Sequence, residues 1–345
     1  GLGRVNLLVG TNNCGKTSIL EAIHVLARAG DLRPLLQTLV RRGELADNDG
    51  DLVEINRVVH GHRFGEGAAF AVYASNDTAS QDVKASFVSR EVGADVPPRI
   101  PRRPGRYSGE SDETLELSPF DLRIDWHRGD DQVTRREVQV MRGGGVIRRR
   151  SGLPPDEGTS EQVQFISTDG LSRDEVVVLF EAAVLTDDEA VVLQALRTVE
   201  PGIERLASVG FRQPRPSRRG GIDMLVASQR LPIGSMGDGI WRLLGIALAL
   251  VRARGGILLV DEIDTGLHYT VLTKMWRLVF ETAKRLDVQV FATTHSRDCY
   301  EALAEVTVAD RHEISLQRIE RERPEAVAFT EGELRVAAER GLEVR

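Results

Sequence analysis

A glycine-rich loop close to the first residue carries residue types that bind phosphate. It follows a short apolar run, residues 4–9, and precedes a helical pattern that extends from Lys16 to about Ala29. Loop N–H groups and the positive end of the following helix attract phosphate oxygens. The loop therefore predicts a nucleotide-phosphate site, and the alternative is a glycine turn that caps an ordinary helix. It fits the pattern G-x-x-x-x-G-K-S/T with Gly10, Thr11, Asn12, Asn13, Cys14, Gly15, Lys16 and Thr17.

Individual positions of the loop and of the helix start suit separate tasks. Gly10 and Gly15 let the backbone approach a phosphate closely, and Asn13 is the non-glycine residue type that best tolerates a positive φ. The hydroxyl of Thr17 is expected to bind Mg²⁺, and that of Ser18 a nearer phosphate.

The loop also holds one of the few lysines of the chain. Only four of the 45 basic residues are lysines, at positions 16, 84, 274 and 284. The compact ammonium of Lys16 can reach a phosphate in a way that the planar guanidinium of Arg cannot imitate. Lys16 is therefore evidence for phosphate binding, whereas Lys84, Lys274 and Lys284 gain no such role.

Two adjacent acids in the last third of the chain are candidates for metal binding and catalysis. Residues 257–260 are Ile, Leu, Leu and Val, a run typical of a buried strand, and Asp261 and Glu262 follow it. At the end of such a strand Asp261 would lie beside the Mg²⁺, and Glu262 beside an attacking water as its general base. Alone the pattern is weak, because many buried strands end in acids.

A second phosphate cradle is predicted at residues 235–239, Ser-Met-Gly-Asp-Gly, directly before an apolar helical pattern. The Ser235 hydroxyl, flexible glycines such as Gly237 and a helix start suit a phosphate. One chain cannot easily close both cradles on the same nucleotide. The alternative is an ordinary helix N-cap.

A histidine follows the next predicted strand, in the sequence Thr293-Thr294-His295-Ser296. A histidine at the carboxyl end of a parallel strand is well placed to reach a γ-phosphate. A lone histidine is more often structural, but here it follows the other motifs in order.

The spacing of apolar residues and the turn residues divide the chain into four parts that differ in their predicted helix and strand content. The last part alternates helix and strand, which favours parallel strands in an α/β core. The parts are 1–50, the phosphate loop and first helices; 51–168, an antiparallel β-rich lobe; 169–221, a helical lobe; and 222–345, the remainder of the core.

Within these parts the sequence predicts further local structure. Helical spacing recurs through 171–208. Two stretches, 97–113 and 148–161, are expected to be exposed loops. Alternating strands are predicted at 52–59, 68–75, 83–89, 122–127 and 133–141.

Composition narrows the function classes. The 345 residues carry a net charge of −7, which excludes a globally basic nucleic-acid coat. Residues 99–106 and 212–219 each hold four Arg, so they are candidates for DNA phosphate contacts or, alternatively, solvated loops. The sequence has no apolar run of membrane-spanning length and only two cysteines, which together favour the reducing cytoplasm.

Four motifs in this order resemble the ATPase domain of the ABC-type, RecF- and SMC-like AAA family, and among its branches the OLD family. They are GTNNCGKTSILEAI, SMGDG, ILLVDEIDTGLH and ATTHS, and they fall within residues 1–30 and 222–303. The resemblance implies an α/β P-loop NTPase with a mixed sheet, an antiparallel β lobe and a helical lobe. It implies nucleotide contacts from Gly10 through Ser18, Mg²⁺ at Thr17 and Asp261, and base catalysis by Glu262.

The resemblance also implies a second copy of the chain. Ser235 and Gly237 would then complete the site of the partner, Asp264 would lie in the loop that follows the acid pair, and His295 would be the switch histidine. ATP and Mg²⁺ are the implied cofactors, bound in a homodimer that can assemble further. OLD proteins carry a C-terminal Toprim nuclease, which is not expected within these 345 residues; if the nuclease logic of the family holds, the nuclease is expected on a separate polypeptide.

Three functions remain open at this point. The leading one is an ATPase whose dimerisation controls an effector or DNA in phage defence or repair. The others are a nucleotide-gated scaffold with negligible turnover and the ATP-binding subunit of a transporter. SMGDG departs from the LSGGQ of transporter ATPases, which argues against the last. The glutamine that such ATPases carry between these motifs has only a weak candidate, Gln164.

Overall fold

A computed structural model gives the fold. It describes residues 1–29, 31–44, 52–59, 65–75, 80–90, 99–101, 114–129, 132–147, 162–209, 221–306, 313–341 and 344. The strands are β1 Val5–Val9, β2 Leu52–Glu54, β3 Ala69–Ser75, β4 Ser80–Ser89, β5 Arg99–Pro101, β6 Thr114–Arg128, β7 Gln132–Met141, β8 Gly145–Ile147, β9 Val163–Ile166, β10 Ile203–Ser208, β11 Ile222–Val226, β12 Gln229–Pro232, β13 Ile257–Val260, β14 Gln289–Thr294, β15 Ile314–Arg318 and β16 Val327–Phe329. The α-helices are α1 Lys16–Ala27, α2 Arg33–Arg41, α3 Arg173–Ala183, α4 Asp187–Arg197, α5 Asp238–Arg252, α6 Tyr269–Leu286, α7 Arg297–Val306 and α8 Glu331–Glu339.

The chain forms two compact units. The first comprises Gly1–Leu20 and Glu161–Arg345, and the second comprises Glu21–Ser160. The glycine loop, the acid pair and His295 all belong to the first unit. The finer division into four functional parts stays a prediction.

A six-stranded mixed sheet organises the first unit, in the order β16-β15-β1-β14-β13-β9. All neighbouring pairs are parallel except β15 and β16, which are antiparallel. Strand β1 is buried along its whole length, as expected for an apolar run in the middle of a parallel sheet. The predicted α/β class and mixed sheet are confirmed.

The parallel strands end at one edge of this sheet, where the candidate site residues follow them. The glycine loop follows β1, the acid pair follows β13, and His295 follows β14. Residues 167 and 168 follow β9, the neighbour of β13. Ligands of open α/β sheets bind outside such carboxyl ends, so the topology alone brings these loops together.

Apolar helices cover this sheet. Helix α5 is buried along most of its length, and each fully buried Leu or Ile contributes about 1.5–3 kcal/mol. In α6 the ring of Trp276 is fully buried and its Nε1–H donates to the carbonyl of Cys299 at 2.9 Å. Cys299 is itself buried at the start of α7.

The region after β9 contains two capped helices and a small sheet. Ser172 and Glu175 form a capping box at α3, and Thr186 caps α4. The stretch 203–208, which falls in a region of predicted helical spacing, is strand β10 of the sheet β10-β11-β12. A register shift near Arg205 leaves Ile203 and Leu206 buried three residues apart, which imitates a helical period.

The second unit contains α2 and two antiparallel sheets. One is β2 with β8; the other runs β3-β4-β6-β5, with β7 also paired to β6. Its core includes Phe87, Leu122 and Ile124. The predicted antiparallel β lobe is confirmed.

Two local predictions in this unit were wrong. Residues 55–58 form a 3₁₀ turn instead of continuing β2. Ile55 and Val59 are both buried, and because residues four apart also share a face of a strand, the apolar pattern resembled one. Residues 99–101, predicted as part of a loop, form β5 because β6 begins early enough to pair with them. Residues 102–113, 148–161 and 212–219 lie outside the described residues.

Among the described residues, none of the helices combines the length and apolar character needed to cross a membrane.

Candidate functional site

The glycine loop adopts a backbone that few residue types can follow. Gly10 has φ +150°, and a Cβ there would lie 2.5 Å from the carbonyl oxygen of Ile319. Asn13 is left-handed at φ 61°, the conformation for which its residue type is suited, and Gly15 has φ +96°. The loop therefore requires small or Asx-type residues at these places.

Lys16 begins α1 and is held across the loop. Its side chain is buried, with 7% of the residue exposed. The ammonium donates to the carbonyls of Gly10 and Thr11, each at 2.9 Å, and lies 3.9 Å from Cys14 Sγ. The charge is thus held against the backbone of the loop whose N–H groups would bind a phosphate.

Thr17 meets Asp261 across 244 residues of sequence. Its Oγ1 lies 3.1 Å from Oδ1 and 3.0 Å from Oδ2 of the buried carboxylate. Thr293 Oγ1 donates to Oδ1 at 2.6 Å, and Thr168 Oγ1 donates to Oδ2 at 3.1 Å. Three hydroxyls therefore surround one carboxylate, from the start of α1, from the end of β14 and from the segment after β9.

These oxygen ligands fit Mg²⁺. Hydroxyl and carboxylate oxygens are the hard donors that this ion prefers. Among the described residues no group of three or more His, Cys, Asp or Glu side chains could form a complete metal cage. One carboxylate and one hydroxyl are typical of a Mg²⁺ site that takes its other ligands from water and substrate phosphates.

Glu262 adopts a strained backbone next to this cluster. Its φ of 46° is left-handed, which costs a non-glycine residue about 1–2 kcal/mol. Its N–H donates to Thr293 Oγ1 at 2.8 Å, and its carbonyl accepts from Thr265 N at 3.0 Å. Surrounding bonds thus fix the strained turn, a pattern that clusters at active sites.

The carboxylate of Glu262 points toward His295. His295 Nδ1 lies 3.5 Å from Glu262 Oε1, and both side chains are partly exposed. Next to it Thr294 Oγ1 donates to Asp264 Oδ1 at 2.7 Å. The consecutive residues Thr293, Thr294 and His295 thus contact Asp261, Asp264 and Glu262 in turn.

The second predicted cradle lies apart from these contacts. Ser235 and Gly237 are exposed, and Ser235 belongs to a 3₁₀ turn whose hydroxyl donates to Pro232 O at 2.7 Å. Gly237 is the N-cap of α5 at φ 89°, with no side-chain capping bond. Gly237 therefore caps an exposed helix start, as the alternative of an ordinary N-cap expects, and the role of this segment as a second phosphate cradle stays a prediction.

Sequence reasoning missed three residues of the site: Thr168, Thr293 and Arg242. Thr293 lies in the ATTHS motif close to His295 but had been given no role, and Thr168 lies just after β9, outside the motifs. Arg242 is a lone charge in the apolar run IWRLLGIALAL, and that oddity was the available signal. Gln164, the weak candidate, lies within β9 and donates to its neighbour's carbonyl, Val163 O, at 3.0 Å.

Burial shifts the pKa of two groups near the site. It lowers the pKa of the Arg242 guanidinium, while the charges of Asp264, Asp261 and Glu262 act in the opposite direction. It raises the pKa of the Cys299 thiol well above the ordinary value, so this cysteine stays a neutral packing residue.

Fold and site together define a P-loop nucleotide hydrolase, and the comparisons agree. Over residues 5–298 the chain matches the family described as "AAA domain, putative AbiEii toxin, Type IV TA system", and it belongs to that family. It is an ATPase of the AAA type. The predicted family resemblance is confirmed at this level, and the narrower OLD assignment stays a prediction.

Individual relatives are distant. An "ATP/GTP phosphatase" of Helicobacter pylori is 19% identical over 333 residues, which cover 89% of this chain and 83% of the relative. An SMC head bound to the C-winged helix domain of ScpA is 12% identical, with TM-score 0.44, over 95% of this chain and 90% of that one. The SMC head domain of Thermotoga maritima is 12% identical, with TM-score 0.39, over 96% and 91%.

Proposed function

We propose that this ATPase binds Mg·ATP on the loop from Gly10 to Ser18 and hydrolyses it with Glu262 as the general base. The observation that carries the proposal is the Thr17–Asp261 contact, with the strained Glu262 next in sequence. It unites the phosphate loop with the acid pair at one sheet edge, as phosphoryl transfer requires.

Lys16 and the loop N–H groups would bind the β- and γ-phosphates of ATP. Thr11, Asn12, Asn13 and Cys14 contribute backbone to this cradle, and Ser18 adds a hydroxyl. Thr17 and Asp261 would hold the Mg²⁺, which neutralises charge on the phosphate oxygens when it is bound.

Glu262 would accept the proton of the attacking water at its carboxylate. Its turn is fixed by Thr293 and Thr265, so the carboxylate is positioned before substrate arrives. His295, 3.5 Å from the Glu262 carboxylate, would steady that side chain and contact the γ-phosphate.

The exposed cradle at Ser235 and Gly237 supports a head-to-tail homodimer closed by nucleotide. In such a dimer each cradle would complete the site of the other copy, with Asp264 in the connecting loop. The dimer would control a separately encoded effector such as a nuclease, or DNA through 99–106 and 212–219, in cytoplasmic phage defence or repair.

A complementation experiment tests the composite site. Lys16→Ala breaks the loop, and Ser235→Arg fills the exposed cradle without disturbing a buried contact. Each variant alone should be inactive, whereas a mixture should release phosphate, because heterodimers regain one intact site. If the wild-type protein releases phosphate but the mixture of variants does not, the composite site of the dimer is contradicted. If the wild-type protein itself releases no phosphate, the alternative of a nucleotide-gated scaffold is favoured instead.

A further inference from the structure

Arg242 is a buried charge beside the acid pair of the candidate site. It lies in α5, five residues after Gly237, and only 9% of the residue is exposed. Its neighbours Leu243, Leu244 and Gly245 are buried too. Burying a guanidinium is costly unless its donors are satisfied, so the contacts of Arg242 indicate what it is for.

The guanidinium of Arg242, in α5, donates hydrogen bonds to the segments that follow strands β9 and β13. Nη1 donates to the carbonyls of Ser167 and Thr168 at 3.3 and 3.4 Å, after β9. Nη2 donates to the carbonyls of Asp261 and Glu262 at 3.2 and 3.1 Å, after β13. A planar fork can satisfy four carbonyls in this way, which a point-charge ammonium cannot.

These four carbonyls belong to the acid pair Asp261 and Glu262, to Thr168, which contacts the Asp261 carboxylate, and to its neighbour Ser167. Thr168 donates to the Asp261 carboxylate, and Glu262 holds the strained φ of 46°. Arg242 also lines a cavity of about 260 Å³ together with Asp238 at the start of α5 and Thr265 after the acid pair. Arg242 thus links the turn at Asp261 and Glu262 to α5, the helix that begins at the exposed cradle.

We propose that Arg242 is a positioning residue that fixes the backbone of Asp261 and Glu262 and thereby aims the Glu262 carboxylate. This inference rests on the proposed function, because it assigns Arg242 a role through the general base. Among the described residues, Arg242 makes no contact with the glycine loop, so we expect it to have little effect on ATP affinity.

The test separates turnover from binding. Arg242→Lys keeps the charge but not the fork, and we expect kcat to fall by between ~10- and ~100-fold, as for a misplaced catalytic group. KM and the affinity for a non-hydrolysable ATP analogue should stay within about threefold, since the loop is intact. Arg252→Lys, on the exposed face of the same helix, is the matched control.

A second pair of variants displaces Arg242 without replacing it. A Cβ at Gly170, φ +82°, would lie 2.8 Å from Arg242 Nη1, whereas one at Gly255, φ +70°, meets nothing within 4 Å. Gly170→Ala should lower kcat with KM retained, and Gly255→Ala carries the same backbone strain as its control. These two glycine variants test the positioning role of Arg242 if the Arg242→Lys protein does not fold.

Two results would overturn the inference. One is a kcat for Arg242→Lys and Gly170→Ala equal to that of their controls; the other is a loss of analogue binding as large as the loss of kcat. An inactive wild-type protein would instead overturn the proposed function.

Discussion

The Thr293 hydroxyl donates a 2.6 Å hydrogen bond to Asp261 Oδ1, from 32 residues further along the chain. The hydroxyl oxygen of Thr293 also accepts the N–H of Glu262 at 2.8 Å. One side chain at the end of β14 therefore orients the carboxylate proposed to bind Mg²⁺ and the backbone of the proposed base. Arg242 donates to the backbone carbonyls of the same two acids.

Thr293→Val tests the importance of that hydroxyl. The valine is of similar size but leaves a buried carboxylate oxygen and the Glu262 N–H each short of a partner. The free energy of unfolding should fall by about 1–3 kcal/mol, and denaturant titration measures it. We also expect kcat to fall by about tenfold because the backbone turn at Glu262 is no longer held by this hydrogen bond.

Thr293→Ser is its control, since serine keeps the hydroxyl and loses only a methyl group. It should retain most of the kcat. Equal kcat for the Val and Ser variants would show that the hydroxyl does not position the acids.

Lys16→Arg should abolish tight ATP binding although it conserves the charge. Lys16 is 7% exposed and is held by two loop carbonyls, so a larger planar group cannot occupy the same place. Equilibrium binding of a fluorescent ATP analogue measures the loss. Lys84→Arg, exposed on β4, should bind as the wild type does, and a Lys16→Arg variant that did so too would remove the special role of Lys16.

The sequence predicted the catalytic framework because its signals are local. A strand, a glycine loop and a helix are contiguous, and the loop's φ values demand Gly10, Asn13 and Gly15. The acid pair and His295 could likewise be placed, since each directly follows an apolar strand whose neighbours in a parallel sheet end at the same edge.

The supporting residues could not be predicted because their roles depend on tertiary contacts. The sequence around Thr168, Thr293 and Arg242 does not show what these residues contact, because the segment after β9, strand β14 and helix α5 come together only in the folded chain. Strand β10 was hidden for a different reason, since its register shift gives Ile203 and Leu206 a helical spacing. The roles assigned to Ser235 and Gly237 stay predictions because they concern a second copy of the chain.

Cys14 provides a probe of nucleotide binding. Its side chain is half-buried in the loop, whereas Cys299 is fully buried. Alkylation by iodoacetamide, followed by mass spectrometry, should modify Cys14 and should slow when ATP covers the loop. Lys16→Ala should lose this protection, and equal labelling of the wild-type protein with and without ATP would count against a nucleotide seated there.

Asp261→Asn should weaken Mg²⁺ binding more than it weakens ATP binding. The amide keeps the shape but removes the charge that three hydroxyls surround. The Mg²⁺ concentration for half-maximal activity should rise by about tenfold or more, and chelation should stop turnover of the wild type. The control is Asp174→Asn, exposed at the start of α3; an unchanged Mg²⁺ requirement in Asp261→Asn would exclude Asp261 as a ligand.

The most direct test of the account is phosphate release by Glu262→Gln, compared with wild type and with Glu281→Gln on the exposed face of α6. Glutamine preserves the size of the side chain but cannot accept the water proton. We predict that turnover falls by ~100-fold or more while ATP stays bound, so that an ATP-dependent dimer accumulates in size-exclusion chromatography. A Glu262→Gln protein that hydrolyses ATP at the wild-type rate would contradict the central claim that Glu262 is the general base.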